Sequence, residues 1–128
     1  MTKCRALLFL FIVLPLCGVA YSQSQAEMNK TAFEAFQKSD KRLNAIYKTI
    51  FAAFDEKGKK LLSESERAWI IYRDAQAAFE ANVVAQDGNM ASAIYNATCG
   101  ELTDARIKQL LKLFAVDHEE EARKLEAQ

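Results

Sequence analysis

Over residues 26–54 apolar side chains return at helical spacing: Phe36, Leu43, Tyr47, Ile50 and Phe54 lie three, four or seven positions apart. This pattern predicts a first long helix. Asp55-Glu56-Lys57-Gly58 would close it, with charges and a glycine suited to a C-terminal cap. A second helix is expected to start within residues 59–63 and run to about Val84. Ser63-x-x-Glu66 fits a capping box there, although Leu61-Leu62 suit an earlier turn of the same helix equally well. Leu62, Trp69, Ile70, Ala77 and Phe79 are its candidates for burial. Gln86-Asp87-Gly88-Asn89 marks the next turn.

A third helix begins near Ala91 and carries Ile94, Tyr95, Leu102, Leu110, Leu113 and Phe114. Gly100 inside it costs about 1 kcal/mol against alanine. A break there, with Thr103 capping a restarted helix, would give four helices in place of three. No stretch alternates as a strand would, and no proline follows Pro15. The expected fold is all-α: an antiparallel up-down bundle of three long helices over residues 23–116. Residues 117–128 are charged and helix-prone with few apolar anchors, and read as a tail that frays or projects into solvent.

The first 22 residues stand apart. Lys3 and Arg5 precede an apolar run over residues 6–16, and Ala20-Tyr21-Ser22 offers a small-x-small cleavage site before Gln23. This is the layout of a secretory signal peptide, and the run is too short for a membrane-spanning anchor. Leu16 is too bulky for the residue before a lipidated cysteine, so Cys17 is expected to leave with the leader. The expected location is the periplasm or the exterior.

Removal of the leader changes both charge and cysteine count. It takes two bases and no acids, leaving 15 basic and 17 acidic residues, a net charge of about −2. That is no electrostatic footprint for nucleic acid. Cys4 and Cys17 also go, leaving Cys99 as a free thiol. Two readings stand for it: a buried, inert side chain on a helix face, or an exposed thiol that pairs between molecules.

Each helix sets one charge into its apolar stripe. Asp40 falls between Phe36 and Leu43, Arg73 lies four after Trp69, and Arg106 lies midway between Leu102 and Leu110. An up-down-up bundle brings the three to about one level. We expect a polar cluster of Asp40 with Arg73 and Arg106, Glu66 or Asp74 serving as further acceptors, around Trp69 as core anchor. The competing reading is that these side chains snorkel to the surface.

Catalytic chemistry finds little here. His118, in the run Asp117-His118-Glu119-Glu120-Glu121, reads as part of a solvated face, with no second His or Cys to complete a metal site. No phosphate loop or nucleophile elbow occurs. No enzyme activity, metal or cofactor is expected. Tyr72 beside the Trp69 stripe and the turn residues Asp87, Asn89 and Met90 are the candidates for protein contact.

Several blocks, in order, carry a resemblance: Glu27-Met28-Asn29, Ser39-Asp40-x-x-Leu43-Asn44-x-x-Tyr47, Glu66-Arg67-Ala68-Trp69-Ile70-x-Tyr72-Arg73-Asp74-Ala75, Gly88-x-Met90 and Cys99-x-x-Leu102-Thr103-x-x-Arg106. Together they resemble the LprI-like family of small secreted bacterial proteins, over roughly residues 25–114. The resemblance implies a helical envelope or surface domain and, from the member that names the family, inhibition of a lysozyme. Family members commonly carry paired cysteines where this chain has Thr31 and Ala77, so this member must rely more on its core. Two functions follow as expectations. One is inhibition of a c-type lysozyme by protein contact. The other is a structural or stress-related envelope protein that binds another envelope component and inhibits nothing.

Overall fold

A computed structural model describes residues 17–86 and 88–128, with side chains from Ser24 onward. The described residues form four helices and no strand: α1 (Cys17–Ala53), α2 (Glu56–Ala85), α3 (Ala91–Phe114) and α4 (Glu119–Glu126). Of the expected leader, residues 1–16 lie outside the described set, while 17–22 continue the first turns of α1. At 1.5 Å per residue, α1 is about 55 Å long.

The first turn forms differently from the expectation. Asp55 does not close α1; it caps α2. Its backbone is extended (φ −71°, ψ 174°) and its Oδ1 accepts from the Gly58 amide at 2.7 Å. Gly58 therefore sits in the first turn of α2, where a Cβ would lie 2.9 Å from the Phe54 Cβ. Its role is to let Phe54 pack over the helix start. The capping box at Ser63 is not formed, because α2 is already underway when it reaches that residue. At the far end, Gln86 takes the left-handed conformation (φ 46°) and donates its amide to the Asn82 carbonyl at 3.0 Å.

The helix pairings fix the topology. Arg73 of α2 meets Asp40 of α1, Arg106 of α3 meets Glu66 of α2, and Phe54 meets Phe114 edge-on. Helix α2 thus runs antiparallel to both α1 and α3, which run parallel to each other. Helix α3 is the central strut, packed along both others, whereas α1 and α2 touch each other little. It does not break at Gly100, so the fourth helix comes from elsewhere. Gly100 lies buried 3.6 Å (from an ideal Cβ position) from the Phe36 Cα, at the close approach of α3 to α1.

That fourth helix is the tail. Rather than projecting, α4 folds back antiparallel to α3 and buries Ala122 and Leu125. Arg42 of α1 donates from Nη2 to the Glu126 carbonyl at 3.0 Å, fastening its last turn. His118 is half-buried at the bend, its ring stacked on Phe114 at 4.4 Å and 5°, not on a solvated face. Two apolar side chains three positions apart are enough to seat one short helix in a groove that α1 and α3 already form.

The core gathers Leu43, Ile46, Ile50, Leu62, Ile107, Leu110, Leu111 and Phe114 with Ala122 and Leu125. It occupies the end of the bundle nearest the α1–α2 turn. Helix α2 presents an unusual inner face: Leu62, Glu66, Arg73, Ala77 and Ala81. Two of these are charged and two are small. Trp69 is half-buried against the core, but Phe79 and Ile70, expected inside, are exposed, as is Leu113 of α3. Small residues at Ala77 and Ala81 let α2 approach α3 closely, and that approach sets which face turns inward.

Candidate functional site

The polar side chains of the inner seam form two linked groups. In the first, Arg73 donates from Nε to Asp74 Oδ1 at 2.8 Å and from Nη1 to Asp40 Oδ1 at 3.2 Å. Asn44 adds a hydrogen bond to the other Asp40 oxygen at 3.0 Å. In the second, Arg106 donates from Nε to Glu66 Oε2 at 3.0 Å, from Nη2 to Ser65 Oγ at 2.9 Å and from Nη1 to Gln109 Oε1 at 2.7 Å. Trp69 joins them: its ring lies 5.3 Å from the Arg73 guanidinium and 5.7 Å from that of Arg106. Phe36 covers Arg73 from α1, at 5.1 Å.

The two groups differ in solvation. Glu66 and Arg106 are 11% and 6% exposed, while Asp40 keeps 41% of its side chain in water. Burial alone would depress the Arg73 pKa, but the hydrogen bond and charge of Asp74 outweigh it and the net direction is upward. Arg73 therefore stays a cation across the working range. A cleft of about 240 Å³ opens beside this seam between α1 and α2.

Cys99 is fully buried. That overturns the exposed-thiol reading, since a sulfur with no accessible surface cannot pair between molecules. Burial pushes the thiol pKa up; the Arg73 charge and a hydrogen bond with Tyr95 offset only part of that. Thr103 donates to the Cys99 carbonyl at 2.7 Å, an interior bond of α3. Nearby, Thr98 donates to Glu80 Oε2 at 2.8 Å, tying α3 to α2, and Gln76 of α2 donates to Glu80 Oε1 at 2.8 Å.

The contact candidates do not share one surface. Tyr72 is exposed on the outer face of α2, in a row with Phe79 and Val83, with Ile71 exposed to one side of it. Asn89 and Met90 lie at the α2–α3 turn, about 20 Å further along the helix axis at 1.5 Å per residue. Asp87 lies outside the described residues. The sequence reading passed over two features. One is the apolar outer row of α2, of which Tyr72 alone is a contact candidate by sequence and Phe79 is expected in the core. The other is a groove of about 730 Å³ between the N-terminal halves of α1 and α3. Met28, Ala32, Ala35 and Phe36 line one side of it, and Met90, Ile94, Ala97 and Gly100 the other. Its sequence signal was the run of small residues at helical steps on both helices.

Among the described residues no three His, Cys, Asp or Glu side chains are placed to hold a metal ion. No described helix is long and apolar enough to cross a membrane. The described residues define a small all-α domain with a polar seam between its helices and apolar side chains exposed on its surface. The chain belongs to the lysozyme inhibitor LprI family, whose sequence pattern matches residues 17–110. It is also 30% identical, over 103 residues, to an uncharacterized protein of Rhizobium meliloti (strain 1021). That match covers 70% of this chain and 73% of the relative. No solved structure matches the chain.

Proposed function

We propose that the chain is an exported binding protein that inhibits a lysozyme by protein–protein contact and catalyses no reaction itself. Membership of the lysozyme inhibitor family over residues 17–110 carries this reading. The leader over residues 1–22, with Lys3 and Arg5 before its apolar run, would direct the chain out of the cytoplasm, to the compartment where a lysozyme acts. Apolar side chains left uncovered by the fold, such as Met28 and Ile94 in the open groove between α1 and α3, supply contact area that it does not use internally. The polar seam around Trp69 holds helix register and is not offered as the contact surface.

The test is lysis of a peptidoglycan suspension by a c-type lysozyme, followed by turbidity with increasing amounts of the purified protein. Dose-dependent protection at micromolar protein or below is expected. Unchanged lysis at a large molar excess would sink the reading and leave an envelope protein with another partner.

A further inference from the structure

We propose that the open groove between α1 and α3 docks an amphipathic helical segment with basic flanks, presented by a cationic protein partner. The shape argument comes from α4. One face of α3 runs Ala97, Glu101, Asp104, Lys108, Leu111 and Ala115, in steps of three and four. The last three line the seat of α4; the first three line the open groove. Groove and seat follow one another along this face of α3, and the chain already covers the second stretch with a helix. Arg42 fastens the end of that helix one turn beyond Ser39, where the groove begins. The groove follows residues 24–39 of α1, about 22 Å or four helical turns. Ala32, Ala35, Ala97 and Gly100 make it deep enough for a helix to lie in, and Met28 and Ile94 give it apolar walls.

Charge identifies the occupant. Glu27, Glu101 and Asp104 line the groove, and among the described residues no lysine or arginine does. The α4 seat has the opposite character on α3, with Lys108 and Lys112, and receives a helix whose first turn is Glu119-Glu120-Glu121. The acidic stretch should therefore reject a second α4-like segment and accept a basic one. The choice of a cationic protein as bearer rests on the lysozyme reading; the preference for a basic helix rests on the groove alone.

The experiment uses two fluorescent synthetic peptides that share a leucine stripe, one flanked by lysines and one by glutamates. Binding to the full chain is followed by anisotropy. The lysine peptide should bind, and the glutamate peptide should bind at least about tenfold more weakly. Ala97→Arg, at an exposed position that tolerates a charge, should abolish binding with helicity unchanged, whereas Val83→Arg on the outer face of α2 should have no effect. The pair Glu101→Lys with Asp104→Lys should reverse the peptide preference. Equal binding of both peptides, indifference to Ala97→Arg, or self-association that Ala97→Arg abolishes would each overturn the proposal. The lysis assay separates it from the functional reading. If Ala97→Arg inhibits lysozyme as well as the parent, the groove proposal fails and inhibition stands. If the peptide preference reverses as expected but no variant protects against lysis, the groove stands and the lysozyme reading falls.

Discussion

Arg106 of α3 and Glu66 of α2 form a nearly dry ion pair, 3.0 Å apart, and the guanidinium donates further to Ser65 and Gln109. A pair of this kind adds little over well-packed apolar residues, yet breaking it leaves one charge buried alone. Glu66→Leu should therefore destabilise the fold by about 3 kcal/mol, while Glu66→Leu with Arg106→Met should cost far less than the sum of the two single changes. Urea denaturation of the four proteins in a double-mutant cycle checks this. Asp40→Asn serves as contrast: with its carboxylate largely in water, it should cost no more than about 1 kcal/mol.

Gly100 sits in mid-helix without needing to be glycine. A Cβ there would meet the Phe36 Cα at 3.6 Å, an ordinary contact, and the backbone has no positive φ. Gly100→Ala should raise stability by up to about 1 kcal/mol, through helix propensity and a less flexible unfolded chain. The urea midpoint should rise with an unchanged slope. A fall would mean that the α1–α3 approach is tighter than these distances show.

Leu125 anchors α4. Leu125→Ala removes a buried side chain from a terminal helix and should cost about 2 kcal/mol, the low end for such changes because the helix can shift. Thermal denaturation reads the loss. An unchanged midpoint would mean that α4 is not docked in solution.

Cys99 should ignore a thiol reagent in the native state and react fully after denaturation. Its sulfur is buried and its pKa is raised, so thiolate is scarce as well as shielded. A non-reducing gel should show monomer only. Rapid native labelling would contradict the burial.

Glu80 predicts an acid sensitivity. Hydrogen bonds from Gln76 and Thr98 hold its carboxyl below the ordinary range. A group depressed in the folded state contributes stability above its unfolded pKa and loses it as pH falls through the folded value. The loss should thus begin below about pH 4.5, the ordinary value. Thr98→Val should flatten that acid limb, which urea midpoints measured from neutral pH downward will show. A limb of unchanged steepness would assign the acid sensitivity to other carboxylates.

Much of this molecule could be read without coordinates. Helical periodicity and the absence of proline after residue 15 announced long helices, because helix formation depends on neighbours three and four residues away. Charges inside the stripes at 40, 73 and 106 were visible as spacing. Which acid meets which arginine was not, since that depends on how far each helix slides along its neighbour. The turn at Asp55 was placed correctly but assigned to the wrong helix: an aspartate followed three residues later by a glycine suits either role until Phe54 packs over Gly58.

The larger corrections concern faces. In α2 the small residues Ala77 and Ala81 turn inward and the large Phe79 turns out, against what side-chain size alone suggests. In the tail, Ala122 and Leu125 looked too few to hold a helix until α1 and α3 supplied a valley for them. Helix type is a local property, set by backbone hydrogen bonding and propensity and so written in short stretches of chain. Which side of each helix is buried, where the tail returns and what groove stays open are properties of three helices packed together. They come from close approach at Ala77, Ala81 and Gly100, residues whose own side chains carry almost no signal.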